Sequence, residues 1–149
     1  MDIDLNNEKL MNYEQGLPFF PREVGSFKLE LRTAVYRDGF KGGKQLRFGV
    51  IVTESNAEAV KSGEEYCLYF PLTDADRVKQ EIRQKEVRAF VAAVFGADPS
   101  DLEFDANAAL ETLLEVGDLP KGDFGAAMRG VAKQKENRTF INFCYSALA

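Results

Sequence analysis

Between Ser26 and Thr53, apolar and polar residues trade places at every second position. Phe27, Leu29, Leu31, Thr33 and Val35 fall on one side of that period, and Lys28, Glu30, Arg32, Ala34 and Tyr36 on the other. Further on, Leu46, Phe48, Val50 and Val52 alternate with Gln45, Arg47, Gly49, Ile51 and Thr53. Successive side chains of a strand point to opposite faces. The pattern therefore predicts two antiparallel strands that bury one face and leave a basic, aromatic face open. Asp38-Gly39 and Lys41-Gly42-Gly43-Lys44 lie between them and supply the positive-φ residues of a reversing loop.

After a polar loop, Tyr66, Leu68 and Phe70 alternate with Cys67 and Tyr69, which predicts a third strand from Glu65 to Leu72 limited by Pro71, a residue that cannot donate to a sheet ladder. From Thr73 the spacing turns helical, with Thr73 or Asp74 as N-cap. Val78 and Ile82 share one side of the helical wheel, whereas Val87, Phe90, Val91, Val94 and Phe95 cluster on another. That change of phase predicts a break near Gln84, with a short helix before it and a better one, Lys85 to Phe95, stopped by Gly96. Ala106 to Val116 reads as a second helix with Leu110, Leu113 and Leu114 on its buried side, ended by Gly117 and Pro120. Two closing strands, about Ala126 to Lys133 and Thr139 to Leu148, flank the turn-forming stretch QKENR.

Residues 1–25 show no period and contain Gly16, Pro18, Pro21 and Gly25, so they read as an N-terminal arm packed loosely on a single domain, 26–149. Within the arm, LPFF either seals an edge of the core or makes a homodimer contact. Three strands, a helical insertion and two strands describe a mainly β chain. They match a five-stranded OB-type β-barrel with helices between strands 3 and 4, an order that other small barrels and α+β sandwiches share.

The net charge of −5 on 149 residues argues against a nucleic-acid partner until its distribution is considered. Residues 26–48 sum to +4 and 124–149 to +3, while 98–123 sum to −7. Positive charge thus belongs to the predicted hairpins and negative charge to the helical part, which lets an acidic molecule carry a basic surface. No apolar run approaches the roughly 18 residues of a membrane span, and MDIDLNNEKL lacks the features of an export signal, so the expected location is the cytoplasm. In that compartment Cys67 and Cys144, both in apolar strand-like segments, are expected to be buried, reduced thiols.

Enzymatic readings find little support. The chain has no histidine, the commonest general base and metal ligand, and therefore no Ser-His or Cys-His pair. Asp98, Asp101, Glu103 and Asp105 lack the spacing of a calcium loop and read as caps and a solvated loop. KGGK is too short for a phosphate-cradling turn and opens no helix. Neither catalytic residues, a cofactor nor a metal is expected.

FKLEL after a glycine, the basic turn YRDGFKGGKQLRFGVIVTES, SGEEYCLYF, the helix VRAFVAAVFG and the late MRGVAKQKENRTFINFCYSAL together cover most of residues 25–148. In this layout the chain resembles the OB-fold single-stranded-DNA-binding proteins of bacteriophages. The resemblance implies sequence-independent binding of single-stranded DNA in phage DNA replication or recombination, through the sheet face and its loops. Carried onto this sequence, it implicates Lys28, Arg32, Tyr36, Lys41, Lys44, Arg47 and Tyr69, with Arg129, Lys133, Lys135 and Arg138 as a second bank. Such binding needs cations to displace counterions from phosphates and flat rings on which bases stack. Many members end in an acidic tail that recruits replication or recombination proteins. This chain ends SALA, a departure that bears on the recruiting role and not on the binding role; replication or recombination proteins stay among the partners the resemblance implies. A second class of function stays open: a non-enzymatic interaction module, either a structural phage component or an acidic decoy of a host DNA-binding site, suggested by residues 98–123.

Overall fold

Five antiparallel strands, β1 (Gly25–Asp38), β2 (Lys44–Ser55), β3 (Glu65–Pro71), β4 (Gly125–Lys135) and β5 (Arg138–Ser146), form one sheet in the order β3-β2-β1-β4-β5. In this computed structural model, which describes residues 16–38, 43–72 and 76–148, the sheet curls into a half-barrel. Helices α1 (Arg77–Val94) and α2 (Ala106–Val116) lie in sequence between β3 and β4. Strand β1 is the shared element: Phe27 to Asp38 run along β2, and Gly25 to Glu30 pair with β4.

The inner face of the sheet is the core. Phe27, Leu29, Leu31, Leu46, Phe48, Val50, Val52, Leu68, Phe70, Ala126 and Met128 are all buried there. The alternation of the sequence holds along β3 and along β2 as far as Val52, but not along β1. Leu31 pairs with Val50 while Thr33 pairs with Gly49, so Arg32 is an extra residue, a bulge, and every position after it changes side. Ala34, expected on the open face, is buried, and Val35, expected in the core, is half-exposed. The bulge is satisfied locally. The Gly49 N–H donates to Thr33 Oγ1 at 3.1 Å, and the carbonyls of Gly117 and Phe124 accept from the N–H groups of Ala34 and Leu31, both at 2.9 Å.

The two sheet edges, β3 and β5, face each other across a seam that the arm fills. Phe20 N–H donates to the Cys67 carbonyl at 3.0 Å, and Cys67 N–H donates to the Pro18 carbonyl at 2.8 Å, so the arm adds a short parallel rung to β3. Phe20 then drops into the core among Phe27, Tyr66 and Phe143, with ring centroids 5.2, 5.1 and 5.8 Å away. Beyond it, Arg22 reaches the Ile141 carbonyl at 3.4 Å and lies over the Phe143 ring. The backbone of Glu23 crosses Gly130 so closely that a Cβ there would lie 2.0 Å from the Glu23 carbonyl oxygen. Between Pro18 and Glu23 the arm is therefore tightly packed, not loose. Its sequence shows no period because it is one extended crossing rather than a ladder strand.

Helix α1 runs unbroken through Gln84, contrary to the predicted interruption. Val87, Phe90 and Val91 bury against the sheet, with Phe90 stacked near Phe48, Phe70 and Tyr145, whereas Val78 and Ile82 are exposed. Because the first turns of α1 are not buried, their apolar residues impose no phase, and helix-favouring Gln84 and Lys85 carry the backbone through. The N-cap is Asp76, which accepts from the N–H groups of Val78 and Lys79; Thr73 and Asp74 lie outside the described residues. At the other end Gly96, with φ of +68°, closes a Schellman turn: Gly96 N–H donates to the Ala93 carbonyl and Ala97 N–H to the Ala92 carbonyl. Helix α2 spans the predicted residues and ends at Gly117, φ +70°. Among the described residues no helix is long and apolar enough to cross a membrane.

Candidate nucleic-acid interface

The outer face of the half-barrel carries one cation set between two rings and a second group of four cations, both positioned by strand register. On β2 and β3, Arg47 is the direct partner of Tyr69, on the side opposite the buried Phe48 and Leu68. Directly opposite residues of antiparallel strands hold their side chains within touching distance, so a cation and a ring lie side by side. Arg47 Nε donates to Gln45 Oε1, which fixes the guanidinium on the sheet. Phe19, carried in by the arm, lies on the same face: its ring is 4.8 Å from that of Tyr69, and the Arg47 guanidinium is 5.8 Å from its centroid. Phe19 and Tyr69 remain 54% and 39% exposed.

The second group occupies the β4–β5 hairpin. Glu136 and Asn137, with φ of 51° and 65°, form its two-residue turn, and Lys135 directly faces Arg138. Both positive φ values identify the tight turn type whose twist suits a hairpin. The uninterrupted register then places Lys133 opposite Phe140 and Arg129 opposite Cys144. Since Ala126 and Met128 point into the core, Arg129, Lys133 and Lys135 all point outward, and Phe140 and Arg138 join them. Among the described residues none of these four cations forms an ion pair. Lys135 against Arg138 is a like-charge pair that opposes hairpin closure and that a bound anion would relieve.

The other sequence-predicted residues are placed differently. Tyr36 faces the same way as its partner Leu46, on the core side of the sheet, because the bulge at Arg32 reverses the parity of β1. It lines a groove with Leu114, Val116 and Asp118 beside α2 and does not join Tyr69. Arg32 sits at the bulge, its carbonyl accepting from the Leu119 N–H. Lys28 points outward but pairs with Glu54 at 3.0 Å. Lys44 opens β2 at the exposed end of the hairpin, and Lys41 lies outside the described residues. Cys67 is buried under the arm as expected, but Cys144 is exposed, since alternation along β5 sends Tyr145 and Phe143 toward the core and Cys144 outward; neither is joined in a disulfide. Two exposed rings escaped the sequence reading. For Phe140 the signal was the period of TFINFCYS, which separates it from Phe143 and Tyr145; for Phe19 adjacent phenylalanines in an aperiodic arm gave none.

The acidic stretch works as local structure. Asp98 accepts from the N–H and hydroxyl of Ser100, bonds that hold its carboxyl below the usual range, while Asp101 and Asp105 accept from the N–H groups of Glu103 and Ala108. Among the described residues no cluster of three or more acidic, Cys or His side chains is arranged to hold a metal. A scan against protein-family models gives no match, and neither does a search of the curated proteins.

Proposed function

We propose that this protein binds single-stranded DNA without sequence preference, on the outer face of an OB-type barrel, and protects or organises the strand during phage DNA replication or recombination. The observation that carries the reading is the register that sets Arg47 against Tyr69 and Lys133 against Phe140 on one face of the sheet. Cations beside exposed rings are what a charged, unpaired strand requires, and each base stacked on a ring contributes about 1–3 kcal/mol. The strand order supports the barrel type, in which the face of strands 2 and 3 and the loops joining strands 1–2 and 4–5 hold oligonucleotides. No catalytic step is assigned to the site. The setting in phage replication or recombination rests on the resemblance of the sequence.

Anisotropy of a labelled oligothymidine across a salt series tests the proposal. If Arg47, Arg129, Lys133, Lys135 and Arg138 each neutralise one phosphate, log K falls with log salt at a slope of about −3.5, from about −0.7 per phosphate on a single strand. Arg138→Glu reduces that slope and weakens binding. A flat titration at low salt rejects the reading and favours the interaction module, with residues 98–123 as its acidic surface.

A further inference from the structure

Phe20 and Phe19 are neighbours in the chain with opposite fates. Phe20 is 6% exposed and seals the core, whereas Phe19 is 54% exposed on the face that holds Arg47 and Tyr69. Burial does not account for Phe19. The arm holds it nonetheless: Phe20 N–H donates to the Cys67 carbonyl and the Pro18 carbonyl accepts from Cys67 N–H, which fixes the backbone on either side, and the Tyr69 ring contacts its own. A large apolar ring kept open to solvent and immobilised at both flanks is pre-organised, so little conformational freedom remains to be lost when a ligand meets it. Its neighbours define the ligand chemistry. The guanidinium of Arg47 suits a phosphate, and the contiguous rings of Phe19 and Tyr69 suit a planar, uncharged group attached to that phosphate.

We infer that Phe19 is a base-stacking residue of the DNA site, delivered to the sheet by the N-terminal arm. This rests on the single-strand-binding reading and extends it: the ring face accepts a base that is not already stacked in a duplex, so Phe19 contributes to the preference for single over double strands. The arm then serves both stability and binding, one aromatic for each.

The test compares wild-type, Phe19→Ala and Phe19→Trp full-length chains with labelled oligothymidine at low salt. Removal of one stacking ring is expected to weaken binding about fivefold to a hundredfold while the melting temperature stays near that of wild type. Phe19→Trp restores affinity, and because the chain has no other tryptophan its emission reports the site alone and is quenched when the oligonucleotide binds. Wild-type affinity in Phe19→Ala together with unchanged emission in Phe19→Trp overturns the assignment while leaving DNA binding intact. A wild-type chain that ignores the oligonucleotide overturns both readings.

Discussion

Truncating Phe20 to alanine tests how the arm and the half-barrel depend on each other. The ring is nearly inaccessible and touches aromatic partners on three separate elements, β1 through Phe27, β3 through Tyr66 and β5 through Phe143. Losing a fully buried phenylalanine costs about 3–5 kcal/mol, in which the transfer of the ring and the cavity left behind both count. The upper part of that range applies here, because the seam between the sheet edges has no ladder to draw them together and each ring pair adds about 0.5–1.5 kcal/mol beyond its area. For a domain stable by about 5–15 kcal/mol, this is a large share. Urea denaturation followed by far-ultraviolet circular dichroism measures it. Phe19→Ala, one residue away and half-exposed, is the control and is expected to cost no more than about 1 kcal/mol. Equal losses for the two variants, or a Phe20→Ala chain within about 1 kcal/mol of wild type, would refute the division of labour within the arm.

Two further outcomes follow from the packing. Gly130→Ala forces a Cβ to within 2.0 Å of the Glu23 carbonyl oxygen, so the arm must move; a loss of about 1–3 kcal/mol and faster tryptic cleavage after Arg22 are expected, and unchanged denaturation and cleavage would contradict the crossing. Burial and, secondarily, the negative charge of Glu86 push the Tyr145 phenol well above its ordinary value, with Arg22 opposing the shift. The folded chain therefore favours the neutral phenol: its contribution is complete below about pH 10 and is lost above that by about 1.4 kcal/mol per pH unit. Melting curves of wild type and Tyr145→Phe should accordingly converge or cross as pH rises from 10 to 12, and parallel behaviour across that window would argue against a buried phenol.

Much of the architecture is local and was legible in the chain. Period-two alternation named the strands, Pro71 and Gly96 marked where elements stop, and Ala106 to Val116 declared a helix through Leu110, Leu113 and Leu114. These signals are readable because pleat, helical pitch and positive φ act within a few residues. The charge asymmetry between hairpins and helical segment was equally visible, and the register of β4 and β5 places Arg129, Lys133, Lys135 and Arg138 on one side.

What the tertiary structure alone decided is which residues share a face. One inserted residue at Arg32 carries no mark in the sequence, yet it reverses everything after it and takes Tyr36 away from Tyr69, since alternation defines faces relative to each other and not across a bulge. The arm has no period, so only its pairing with Cys67 shows that Phe20 belongs to the core and Phe19 to the surface. The break expected in α1 depended on the assumption that every apolar residue is buried, whereas Val78 and Ile82 lie where the helix meets no sheet. Strand pairing and arm docking join residues far apart in the chain, and their free energy comes from contacts that no local window contains.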